Sequence, residues 1–135
     1  MHRLFLDANV LFTAAHNPEG KAAHLFDALK LKRWVLLSSA YAIGEARRNI
    51  EAKYPQRAAQ LEALVGQLVE VGQPAPARTS LDLAEKDQPI YLAAQSARAT
   101  HLLTGDMRHF GPHMNRPLDT GGIVIQTVAE FLSKL

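Results

Sequence analysis

"RLFLDANVLF", residues 3–12, runs Leu4, Phe5 and Leu6 straight into Asp7 and then resumes with Val10, Leu11 and Phe12. Three consecutive apolar residues mark a short strand buried on both faces, because a strand with one wet face would alternate. From Ala8 to about Ala15 the pattern turns helical, and Asn17-Pro18-Glu19-Gly20 ends it. The stretch is therefore a strand-to-helix turn with a carboxylate at the strand's carboxyl end.

The same alternation continues outward. Lys21 to Leu31 places Ala22, Leu25, Phe26 and Leu29 at helical spacing, and Trp34 to Leu37 forms a second strand. Ser38 and Ser39 offer caps for a helix reaching about Lys53, where Tyr54-Pro55 breaks the pattern. A helix from about Gln56 to Gln67 leads to a weak third strand, Val69 to Val71, and then to a loop from Gln73 to Arg78 carrying Pro74 and Pro76. Ser80 to Ala84 suggests a short helical turn before a long helix from about Asp87 to Ala99, with Pro89 tolerated in its first turn. His101 to Thr104 is the fourth strand, Gly111 to Gly122 a loop, Ile123 to Ile125 the fifth strand and Thr127 to Leu135 a closing helix. Continuous apolar strands alternating with amphipathic helices predict an α/β fold, a three-layer α/β/α sandwich around a mainly parallel sheet of about five strands. Such sheets hold ligands beyond the carboxyl ends of their strands, where strand order reverses.

Composition sets the bounds. At 135 residues, with 47% hydrophobic and 21% charged residues, the chain predicts one globular domain spanning 1–135. It has no cysteine, which removes disulfides and thiolate metal sites and fits a reducing compartment. Three apolar residues before Asp7 are too few for a signal peptide, and no run approaches the ~20 apolar residues that span a bilayer, so a cytoplasmic protein with no membrane partner is expected. A formal charge of +2 is too small to argue for nucleic-acid binding by itself.

Asp7 follows strand one, Glu45 lies in the helix after strand two, Asp87 opens the helix before strand four, and Asp106 follows strand four with Gly105 expected to permit a tight turn. If strands one and four are neighbours, these four acids surround one crevice. Carboxylates about 4 Å apart repel by roughly 4 kcal/mol per pair at an effective dielectric of 20, so the cluster calls for protonation or a cation. Oxygen donors without cysteine favour Mg²⁺ or Mn²⁺ over zinc, and that chemistry serves phosphodiester hydrolysis. Taken singly, each acid also has a plain reading: Asp7 and Asp87 as helix caps, Glu45 as a solvated position, Asp106 as a turn residue.

Together these segments resemble the PIN domain, a nuclease family. The likeness rests on "LFLDANVLF" at the start, "SSAYAIGEARRNI" at 38–50, "LDLAEKDQPIYLAAQSARATHLLTGDMRHFG" at 81–111 and "IQTVAEFL" near the end. It implies that Asp7, Glu45, Asp87 and Asp106 are the catalytic, metal-binding acids of a ribonuclease acting on single-stranded RNA, supported by Asn9 and Thr104. A further acid common two residues after the last one is replaced here by Arg108, so one Mg²⁺ (or Mn²⁺) site is expected and a second is left open. The resemblance also implies a toxin of a toxin-antitoxin pair, with a small antitoxin partner, and a homodimer.

Arg108, His109, His113 and Arg116 border the proposed cleft and are candidates for contact with the RNA backbone, or equally a solvated loop. His109 and His113 have zinc-site spacing, but Gly111 and Pro112 between them argue against one helix presenting both. Arg47 and Arg48 read as surface charge, and Tyr41, Tyr91 and Trp34 as packing residues. Two alternatives compete with the nuclease. A haloacid-dehalogenase-like or receiver-like phosphoryl-transfer protein also sets aspartate after its first strand, although the former wants a second acid where Asn9 stands. An inactive PIN module would bind RNA or protein without cutting.

Overall fold

The computed structural model describes residues 1–135 apart from Arg78 and Ser80. Five strands, β1 (His2–Leu6), β2 (Trp34–Ser39), β3 (Val69–Val71), β4 (His101–Leu103) and β5 (Val124–Gln126), form one sheet in the order β3-β2-β1-β4-β5. Every neighbouring pair is parallel. β1 is central, flanked by β2 and β4, so strand order reverses at the end of β1.

Among the described residues six α-helices lie between strands, α1 (Ala8–His16), α2 (Lys21–Asp27), α3 (Ala40–Lys53), α4 (Ala58–Val65), α5 (Gln88–Ser96) and α6 (Met107–Phe110), and α7 (Val128–Ser133) follows the last strand. Helix α1 packs against α2, α3 and α4, while α5 packs against β2 and β4, and the two groups cover the two sides of the sheet. That double cover explains the unbroken apolar strands: Leu4, Phe5, Leu6, Leu36, Leu37, Leu102, Leu103 and Ile125 are all buried. Trp34 and Tyr91 are buried with them, and the Trp34 indole donates to the Leu25 carbonyl at 3.0 Å.

Several boundaries differ from expectation. The helix expected over 21–31 is α2 followed by a 3-10 turn, Ala28–Leu31, and the one expected over 56–67 is a 3-10 turn, Pro55–Arg57, followed by α4. The helical turn expected at 80–84 is absent over Leu81 to Ala84. Ser80 lies outside the described residues, as does Arg78 at the end of the Gln73 loop, and the turn forms later, at Glu85–Asp87. Pro89 lies in the first turn of α5, where its missing N–H is harmless. Strand β5 is shifted by one residue because its register is set by β4, pairing Leu103 with Gln126. Helix α6, four residues long, carries too little periodicity to be read in the sequence.

Candidate metal centre

Register builds the site. Leu6 pairs with Leu103, so the residues after them, Asp7 and Thr104, emerge side by side at the carboxyl ends of β1 and β4. The backbone N–H of Asp7 donates to the Leu103 carbonyl at 3.0 Å, carrying the pairing one residue past the strand. Asp7 does cap α1, accepting from the Ala8 N–H at 2.7 Å through Oδ1, but its second oxygen is used differently. Oδ2 accepts from the Thr104 hydroxyl at 2.8 Å and from the Asn9 amide at 3.2 Å. Thr104 Oγ1 in turn accepts from the Asp106 N–H at 3.0 Å, and Asn9 Oδ1 accepts from the Gly105 N–H at 2.7 Å. Asn9 and Thr104 therefore bracket the 104–106 turn onto Asp7. The tight turn expected at Gly105 is present, but it uses no left-handed backbone, and a Cβ there would meet Asn9 Oδ1 at 3.4 Å, an ordinary contact distance.

The other acids arrive from both sides of this bracket. Asp106 caps α6, accepting from the His109 N–H at 3.1 Å, and this turn folds the His109 ring back onto it, with Nδ1 2.8 Å from Asp106 Oδ2. The same Nδ1 lies 3.1 Å from Asp87 Oδ2. Asp87 is buried and makes no side-chain cap, in contrast to its plain reading from sequence. Its segment is held by α3, where the Tyr41 hydroxyl donates to the Lys86 carbonyl at 2.9 Å. Nothing in the sequence marks Tyr41 for that task. Glu45, one turn further along α3, is half-buried.

Burial and crowding show in the ionisation of these groups. Desolvation pushes the Asp7 carboxyl up to about 6, against the pull of the Thr104 and Ala8 hydrogen bonds, with Asp87 and Glu45 adding to the rise. Asp87 is also raised, first by burial and then by Asp106. Asp106 is raised by burial too, but the His109 N–H and imidazole outweigh that and hold it below its ordinary value. Electrostatics thus couples Asp7, Glu45 and Asp87, while Asp106 couples to Asp87.

The residues fit a divalent cation. Among the described residues Asp87 Oδ2 is buried with no hydrogen-bond partner, and His109 Nδ1, bonded to Asp106, stands 3.1 Å from it. Asp87, Asp106 and His109 each offer a donor atom within 4.8 Å of the others, and the oxygen-rich set suits a hard or borderline ion. Asp7 and Glu45 stand outside that tight trio. The other candidates are placed less centrally. His113 Nε2 lies 3.0 Å from the Asp82 carbonyl, Arg116 pairs loosely with Asp119 at 4.0 Å, and Arg108 is exposed. Arg47 makes a two-pronged surface pair with Glu62 at 2.7 and 2.9 Å.

A parallel sheet covered by helices, with acids clustered at its switch point, defines the class of an α/β domain with a candidate cation site. Within it, a family model for the PIN domain matches residues 3–108, and the chain belongs to the PIN-domain family. The fold is similar to that of VapBC2 from Rickettsia felis, solved bound to a promoter DNA fragment, with a TM-score of 0.67 at 14% identity over 93% of this chain and 98% of that one. It is also similar to VapC20 of Mycobacterium tuberculosis, described as a sarcin-ricin loop cleaving toxin, with a TM-score of 0.59 at 10% identity over 82% and 94% of the two chains. VapBC-1 from nontypeable Haemophilus influenzae matches with a TM-score of 0.57 at 15% identity over 94% and 98%. Comparison with curated protein sequences finds no match.

Proposed function

We propose that the chain is a metal-dependent endoribonuclease that hydrolyses phosphodiesters of single-stranded RNA, and that it is the toxin of a toxin-antitoxin pair. The observation carrying this reading is the buried Asp87 Oδ2, without a hydrogen-bond partner among the described residues, beside Asp106 at the carboxyl end of β4. In this reading Asp87 and Asp106 hold the cation, Mg²⁺ or Mn²⁺, while Asp7 and Glu45, outside the tight trio, complete the acidic site beside it. The chemistry supplied by a divalent ion there is activation of water and neutralisation of charge on the scissile phosphate.

The chain's own residues do the positioning. Thr104 and Asn9 lock Asp7 against the turn that carries Asp106, so two acids from distant motifs keep a fixed separation. Burial raises the Asp7 carboxyl to about 6, and a cation nearby favours its ionised form. An open cleft of about 490 Å³ adjoins the bracket through Asn9, Thr104 and Gly105, and its far wall is the largely apolar surface of Val10, Ala22 and Val128. The exposed Lys86 and Arg108 border the acids and supply charge for flanking phosphates. The VapBC relatives in fold support an antitoxin partner, which would cover this cleft, and a homodimer is part of the same proposal.

The test is incubation of tag-free protein with single-stranded RNA and Mn²⁺, with and without chelator. Cleavage that needs metal and is abolished by Asp7→Asn is expected. Absence of cleavage together with phosphate release from a small phosphomonoester would replace the nuclease with a phosphatase.

A further inference from the structure

The tight trio around the unpartnered oxygen contains a nitrogen. His109 Nδ1 stands 2.8 Å from Asp106 Oδ2 and 3.1 Å from Asp87 Oδ2. Two donors adjacent on a six-coordinate ion with bonds of about 2.1 Å are about 3.0 Å apart, against about 3.4 Å on a tetrahedral ion. The two nitrogen–oxygen separations are compatible with such an edge as well as with a hydrogen bond, and all three donor atoms lie within 4.8 Å of one another. The ring is also held in place from below, since the His109 N–H is bonded to Asp106 Oδ1 and the next residue, Phe110, is buried in the core. A proton on Nδ1 bonds Asp106 at 2.8 Å and reaches Asp87 only at 3.1 Å; an ion at that position, with the ring proton on Nε2, serves Nδ1, Asp106 and the Asp87 oxygen together, which has no hydrogen-bond partner among the described residues.

We infer that His109 is a metal ligand, making a mixed centre with Asp87 and Asp106 that selects a six-coordinate divalent transition ion over Mg²⁺. Imidazole is a borderline donor that suits first-row transition ions, whereas Mg²⁺ keeps to oxygen. His113 stands outside this trio, with its Nε2 3.0 Å from the Asp82 carbonyl. The inference rests on the reading of this pocket as a metal centre and is independent of whether the substrate is RNA.

The test uses tag-free full-length protein and Mn²⁺ as the probe, read by pulsed electron paramagnetic resonance and by competition with Mg²⁺. Bound Mn²⁺ is expected to show coupling to an imidazole nitrogen, and His109→Ala to abolish that coupling and weaken Mn²⁺ binding by about tenfold or more, with a smaller effect on Mg²⁺. His109→Asp, a second variant in case truncation loosens the turn, is expected to retain Mn²⁺ without nitrogen coupling and to lose the preference over Mg²⁺. Bound Mn²⁺ without nitrogen coupling, coupling that survives in His109→Ala, or a metal preference unchanged in both variants overturns the assignment. RNA cleavage failing while nitrogen coupling is present would instead remove the nuclease reading and leave the centre standing.

Discussion

Asp7 is the residue whose environment has the clearest measurable consequence. Its carboxyl, raised from 3.8 to about 6 by burial, keeps in the folded protein a proton that the unfolded chain releases between those values. Its contribution to stability is therefore greatest below pH 3.8 and is lost as pH rises through about 6, on the order of 3 kcal/mol across that window. Urea unfolding in chelator is expected to show wild type losing stability relative to Asp7→Asn as pH rises from 4 to 7. A constant difference between the two would contradict the burial argument. Thr104 is the second informative residue, fully buried and bonded on both sides, to Asp7 and to the Asp106 N–H. Thr104→Val keeps the shape and removes these bonds together with the longer one from the Asn9 amide at 3.4 Å, so unfolding free energy should fall by about 1–3 kcal/mol.

At the scale of elements, α6 decides whether the trio forms. Four residues cannot hold a helix by their own hydrogen bonds, so its position depends on the Asp106 cap at one end and the buried Phe110 at the other. Phe110→Ala is expected to cost about 3–5 kcal/mol and to weaken metal binding measured by calorimetry. Met107→Ala, changing a side chain exposed on the same helix, should stay within about 0.5 kcal/mol of wild type. If both behave alike, α6 is not anchored through Phe110. Strand boundaries follow the same logic of neighbours: β5 is displaced by one residue from its apolar triplet, Ile123 to Ile125, because pairing with β4 overrides local preference.

For the whole molecule, the like charges gathered at the switch point oppose folding until a cation arrives. Removing one should help the metal-free protein and harm the loaded one. Asp87→Asn is expected to raise the melting temperature in chelator, since its carboxylate is destabilised by burial and by Asp106. The same variant should lose most of the thermal stabilisation that Mn²⁺ confers on wild type, about 2.7 kcal/mol at one hundred times Kd. Equal stabilisation of both proteins by Mn²⁺ would place the metal elsewhere.

The layers of this fold were legible because apolar runs such as Leu4–Leu6 and Leu102–Leu103 need cover on both faces, which demands crossover helices and so a parallel sheet. Asp7 and Asp106 were legible as strand-end carboxylates for the same reason. The bracket from Asn9 through Gly105 and Thr104 was not, because it joins residues about a hundred positions apart through a register that only strand pairing establishes. Nor was the turning of His109 onto Asp87: local sequence shows a histidine three residues after an aspartate, and only packing of Phe110 and the Tyr41 tether bring its ring to a second acid. Periodicity is a local property and determined which faces are buried; side-chain convergence depends on long-range register and packing, and the tertiary structure alone decided it.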